Sequence, residues 1–217
     1  EEGIEMSRLA VVALLGGLVI VGGTPSSSVE AAPGSALRRT VLENGLTVLV
    51  LPRPTAPAVA FQVWYRVGSA DEREGERGLA HFLEHLMFKG TTTLPKGEID
   101  SLTHRHGGKN NAFTSYDVTV YHFTFAPDRW ETALRIEADR MRNLVLDPDE
   151  FEAERRVVLE ELKEGLDEPW DALDNEVIGA AYRVHPYHHP VIGHAEDIER
   201  VSRETVMAFY RRHYTPG

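Results

Sequence analysis

One stretch constrains this chain more than any other. It runs from Gly78 to Gly90 and reads Gly-Leu-Ala-His-Phe-Leu-Glu-His-Leu-Met-Phe-Lys-Gly. Leu79, Phe82, Leu83 and Leu86 recur at helical spacing, no proline interrupts them, and Gly90 offers a stop. On a helix His81 and His85 stand a little over one turn apart, so both imidazoles leave the same face. Two neutral imidazoles on one rigid face form a pair of zinc ligands. Glu84, beside the second histidine, is placed to reach a water on such a metal. The alternative is an amphipathic helix that merely carries two buried or solvated histidines. Glu84 and the features downstream count against it.

Composition narrows the chemistry further. The chain has 217 residues, room for one large domain or a domain and a half. It contains no cysteine, which removes disulfides, thiolate metal sites and a cysteine nucleophile together. Any metal must therefore be held by His, Asp and Glu. A net charge of −11 without a basic stripe argues against nucleic acid as a partner.

The N-terminal 36 residues read as a signal peptide and linker. Residues 1 to 5 precede the first methionine. Met6-Ser7-Arg8 is a short positive segment, Leu9 to Val21 is apolar with glycines, and Gly22 to Ala32 is small and polar. Val29-Glu30-Ala31 offers a cleavage site. This pattern predicts a secreted or periplasmic protein with no stable membrane insertion once the signal is removed. The apolar run is shorter than the ~20 residues of a membrane span, and a retained N-terminal anchor is the competing reading.

The folded part is expected to start near Leu37 and to occupy 37–217. Strands are expected at Arg38–Glu43 and Leu46–Leu51, joined by the Asn44-Gly45 hairpin signal. Further strands fall at Ala58–Val67, Lys109–Ser115 and Asp117–Ala126. Besides the histidine helix, helices are expected over Lys96–His106, Pro127–Leu144, Asp147–Gly165, Asp171–Arg183 and Ile198–Tyr214. The order predicts an α+β fold, an antiparallel or mixed sheet with helices packed mainly on one face.

Catalytic zinc usually takes three protein ligands and a water. The acids of the Asp147–Gly165 helix can supply the third. Glu154 and Glu161 lie two turns apart and share a face, with Val157 and Val158 between them. Glu160 points about 100° away, among polar neighbours. This face favours Glu161 as the ligand, with Glu154 behind it to orient a histidine. The competing reading is an ordinary acidic helix with pairs such as Glu152–Arg156. His185, His188 and His189, in a Pro-rich loop, invite a second metal site; exposed polar residues are the simpler reading.

The order His-x-x-Glu-His inverts the common zinc-protease motif and marks the inverzincins. The chain resembles the pitrilysin/insulysin family, most closely its shorter bacterial, mitochondrial-processing-peptidase-like branch. The resemblance rests on Asn44-Gly45-Leu46, Trp64 to Ser69, Gly78 to Thr91, Gly107-Gly108, Asn111 to Ser115, Asp117, Tyr121 and Glu154 to Leu162. It implies a zinc endopeptidase acting on peptides or unfolded segments. His81, His85 and Glu161 would bind Zn2+, and Glu84 would activate the attacking water. Asn111 and Ala112 would lie on an edge strand that pairs with the substrate, Asn111 also holding a substrate carbonyl. In this family two homologous halves enclose a chamber. The resemblance covers only the first half, which implies a C-terminal truncation, a fragment of weak or no activity, and a second half or subunit as homodimeric or heterodimeric partner. The alternative function is a non-catalytic scaffold or partner subunit of the same fold; such subunits typically lose the His-x-x-Glu-His set, which is intact here.

Overall fold

A computed structural model of the protein describes residues 9–14, 37–53 and 55–216. Its centre is a six-stranded sheet in the order β2-β3-β1-β4-β6-β5. The strands are β1 (Leu9–Leu14), β2 (Arg38–Val41), β3 (Thr47–Val50), β4 (Val59–Tyr65), β5 (Lys109–Thr114) and β6 (Thr119–Phe125). All neighbouring pairs are antiparallel except β1 with β3. The fold is α+β with a mixed sheet, as the element order implied.

The β2–β3 hairpin turns at Asn44-Gly45. Gly45 adopts φ +86°, a conformation open to glycine at no steric cost. Strand β4 alternates strictly: Val59, Phe61, Val63 and Tyr65 are buried while Ala60, Gln62 and Trp64 are half-buried. The buried set pairs across to Phe125, Phe123, Tyr121 and Thr119 of β6. Helices cover this apolar face and share one core with it.

The helices are α1 (Leu79–Leu86), α2 (Glu98–Arg105), α3 (Glu131–Asn143), α4 (Pro148–Asp167), α5 (Pro169–Ala181), α6 (Ala195–Arg200) and α7 (Arg203–His213). Asp147 caps α4 by accepting from the amides of Asp149 and Glu150, and Pro148 occupies its first turn. The single C-terminal helix expected over Ile198–Tyr214 is in fact two. Ser202 separates them and caps α7 through the amide of Thr205. A serine that can cap a new helix competes with continuing the old one.

Most of the expected signal peptide lies outside the described residues. Its Leu9–Leu14 segment, however, forms β1, bonded to β3 on one side and β4 on the other. In the uncleaved chain the sheet therefore takes in a segment upstream of Leu37. Leu-Ala-Val-Val-Ala-Leu is a short unbroken apolar run, and hydropathy is the same for a signal core and a strand bonded on both sides. Among the described residues no helix is long and apolar enough to cross a membrane.

One charged pair lies inside the core. Arg140 is fully buried, and its Nε donates to Glu137 Oε2 at 3.0 Å. A second bond joins its Nη2 to Glu137 Oε1. The guanidinium sits 4.0 Å from the centroid of the Tyr121 ring. Removing one partner strands the other charge in the core. Arg140→Met is therefore expected to cost about 3–5 kcal/mol of stability. The double change Glu137→Leu/Arg140→Met should recover much of it, and urea denaturation midpoints of the two variants check this.

Candidate metal centre

Helix α1 buries Leu79, Phe82, Leu83 and Leu86. That leaves His81 and His85 half-buried on the side facing α4. Helix α4 packs against α1 through Val158, fully buried, and Phe151, whose ring lies 5.0 Å from that of Phe82. This crossing brings Glu161 over the two histidines. Its Oε2 is 3.4 Å from His85 Nε2 and 3.9 Å from His81 Nε2. One ligand atom from each of the three residues can be chosen so that all lie within 4.8 Å of one another. A tetrahedral ion with bonds of ~2.0–2.1 Å holds its ligands about 3.3–3.4 Å apart, so small side-chain rotations suffice to close the site.

The ring chemistry fits a cation. His85 Nδ1 is 2.9 Å from Glu154 Oε1. Glu154 is buried and also pairs with Lys89 Nζ at 2.5 Å. Burial alone would raise the Glu154 carboxyl, but the bonds from His85 and Lys89 outweigh it and hold it below the usual range. A carboxylate at Nδ1 keeps the proton there, so the Nε2 lone pair faces Glu161. Burial, with the neighbouring His85, lowers His81 to about 4, leaving that ring neutral near pH 7. Burial would lower His85 too, but Glu154, Glu161 and Glu84 more than offset it and its pKa lies above the ordinary value.

Glu84 is buried at the same place. Its Oε2 accepts a 2.6 Å hydrogen bond from Thr114 Oγ1 on β5, and burial raises its pKa. Strand β5 is the last of the sheet, with β6 its one described neighbour. Asn111 on it is exposed, and its Oδ1 accepts from the amide of Ala112 at 2.9 Å. Neither residue belongs to the ligand group.

Several residues were placed differently by sequence. Val157 is exposed, so Val158 alone fills the inner face beside Glu154. Glu161 is not turned into the core; its side chain keeps 42% of its exposure, and the two imidazoles are its polar surroundings. Thr114 and Lys89 carry polar roles that spacing did not single out. Thr114 shares a strand face with Ala112, a period-2 signal that pointed to the same side. His185, His188 and His189 do not form a second centre: among the described residues His81, His85 and Glu161 are the one group of three or more able to hold a metal.

Comparison with known proteins places the chain in a family. Residues 47–195 match the family described as insulinase (peptidase family M16). The chain belongs to that family. It is 36% identical over 214 residues to a protein named zinc protease PqqE from Helicobacter pylori, covering 97% of this chain and 48% of that one. It is 37% identical over 190 residues to an uncharacterized zinc protease, Rv2782c, of Mycobacterium tuberculosis, covering 88% of this chain and 43% of the other. The crystal structure of a protease from Helicobacter pylori superposes with TM-score 0.80 at 37% identity, over 83% of this chain and 44% of that one. This M16 chain thus spans about half the length of the curated relatives it matches.

Zinc titration tests the centre directly. Glu154→Gln is expected to weaken zinc affinity roughly 10–100-fold, and Glu161→Gln to weaken it more, since it removes a ligand. The pH dependence has a definite sign. Zinc must displace the proton of His85, whose pKa is raised, so affinity should hold at high pH, begin to fall while the pH is still above 6.5 as the solution is acidified, and then drop about tenfold for each further pH unit downward. Chelator competition between pH 5.5 and 8 reads both effects.

Proposed function

We propose that this chain is the metal-binding half of a zinc endopeptidase acting on peptides or unfolded segments. One observation carries the reading: Glu84 is buried beside the His81–His85–Glu161 group and bonded to Thr114 on the end strand of the sheet. A proton acceptor, a ligand set and a strand edge therefore meet at one place. A bound zinc would supply Lewis acidity and a water of near-neutral pKa. His81, His85 and Glu161 would hold it. Glu84 then takes the proton of the attacking water and returns it to the leaving amine nitrogen. Its raised pKa suits that return, because an acid nearer neutrality gives its proton back more readily.

The substrate peptide adds in extended form to the edge of β5 that has no partner strand among the described residues. Asn111 Oδ1 now occupies the Ala112 amide; a substrate carbonyl takes its place, and the Asn111 amide group is freed to donate to the peptide. A second half, on the same chain or on a partner subunit, closes the site and helps bind substrate. A scaffold role is the other reading. A solved neighbour, 19% identical, is described as an inactive M16 domain from Pseudomonas fluorescens. The complete donor set favours catalysis here.

We further propose export from the cytoplasm by residues 6–31. N-terminal sequencing of the exported protein should find Ala32 first; an intact start through Leu9–Leu14 would instead make β1 a permanent strand. For the chemistry, the assay is peptide cleavage by the full-length protein. Glu84→Gln should retain zinc and lose cleavage by about 10²–10⁴-fold. Undiminished cleavage by that variant, or none by the wild type, contradicts the reading.

A further inference from the structure

The first turn of α1 carries His81, and the groups that hold this turn lie outside the metal centre. Gly78 opens the helix at φ +92° and has no side chain to cap it. The buried carboxyl of Glu72 does so instead, accepting from the amides of Gly78 at 2.8 Å and Ala80 at 2.7 Å. Glu72 is held in turn. Its backbone carbonyl accepts from Arg77 Nη1 at 2.7 Å. The same Nη1 lies 2.8 Å from Nε2 of His189.

A guanidinium only donates, and Nη1 has two hydrogens, so it makes both bonds. His189 Nε2 is therefore the acceptor. The ring proton sits on Nδ1, 3.2 Å from the carbonyl of Pro190. His189 is 1% exposed, and burial lowers it to about 4, so the ring stays a neutral acceptor near pH 7.

The backbone around His189 is pressed onto the same turn. A Cβ on Gly193, which has φ +83°, would lie 2.2 Å from the Arg77 carbonyl oxygen. A Cβ on Gly78 would lie 2.3 Å from the carbonyl oxygen of Ile192. Asp197 Oδ2 accepts from the Arg77 amide at 3.1 Å. Residues 189–197 thus touch the Glu72–Ala80 segment at His189, Ile192, Gly193 and Asp197.

We propose that His189 is a positioning residue for the metal centre: through Arg77 and Glu72 it fixes the first turn of α1, and with it the direction of His81. The proposal rests on the metal-binding reading. The leverage is geometric. A rotation of about 5° moves an atom at the ~5–6 Å edge of a helix by roughly 0.5 Å. Metal–ligand distances tolerate only about 0.2 Å. A buried histidine 108 positions after His81 therefore controls a coordination bond it does not make.

The test compares His189→Leu with His189→Gln in the whole chain. Leucine fills the space and removes the acceptor. Glutamine stays uncharged and can accept from Arg77 through Oε1. Zinc affinity by chelator competition and the unfolding midpoint of the metal-free protein are measured together. The leucine variant is expected to lose about tenfold in zinc affinity, in line with other groups that orient ligands, and the glutamine variant to regain most of it. A folded leucine variant with wild-type affinity overturns the proposal, and so does a folded glutamine variant that rescues nothing. If the leucine variant does not fold, His189→Asn, polar but too short to reach Arg77, replaces it; wild-type zinc affinity there overturns the proposal, and a tenfold loss supports it. A wild-type chain that fails to bind zinc would defeat the metal reading itself, a result distinct from the others.

Discussion

Glu154 is the interaction on which the site depends. It sits on α4, buried, and reaches both His85 Nδ1 and Lys89 Nζ at the end of α1. Two charge-assisted bonds from one carboxylate tie the helices together at the level of the histidines. They also choose the tautomer of His85, so the free nitrogen points at Glu161. An uncompensated carboxylate at that depth would be costly. The lysine and the imidazole compensate it, and one contact therefore sets helix crossing, ring orientation and local charge.

The rest of the fold supports that crossing from three sides. Phe151 and Val158 pack α4 onto α1 below the carboxylate. The sheet contributes Thr114, which anchors Glu84 from the strand side. At the far end of α1, Glu72, Arg77 and His189 fix the first turn. Rigid elements carry every group of the centre, which is what a coordination site needs if its ligands are to wait in place.

Much of this was legible in the residues. The i,i+4 histidines, the two-turn spacing of Glu154 and Glu161 and the alternation of β4 follow from helical and strand periodicity alone. Periodicity says which residues share a face; it does not say what that face meets. Thr114 and Lys89 escaped for this reason, since their partners lie 30 and 65 positions away. Val157 sits at the margin of the α4 face, where one turn of geometry does not decide burial. The break at Ser202 depends on a capping bond to Thr205 that competes with an otherwise continuous helical pattern. The role of β1 turns on pairing with β3 and β4, which hydropathy does not encode. The simpler reading of the three loop histidines as exposed polar residues fails for His189, which is buried, because the sequence hid the arginine 112 positions away that claims it.

The central claim is that two imidazoles of α1 and one carboxylate of α4 converge on a single zinc ion. X-ray absorption at the zinc edge of the loaded protein tests it most directly. The account predicts a four-coordinate ion with two histidine nitrogens and two oxygens at about 2.0–2.1 Å. The Glu161→Gln variant should perturb the oxygen shell and leave both imidazole signatures in place. A spectrum with a single histidine, or one unchanged by loss of the Glu161 carboxylate, would contradict it.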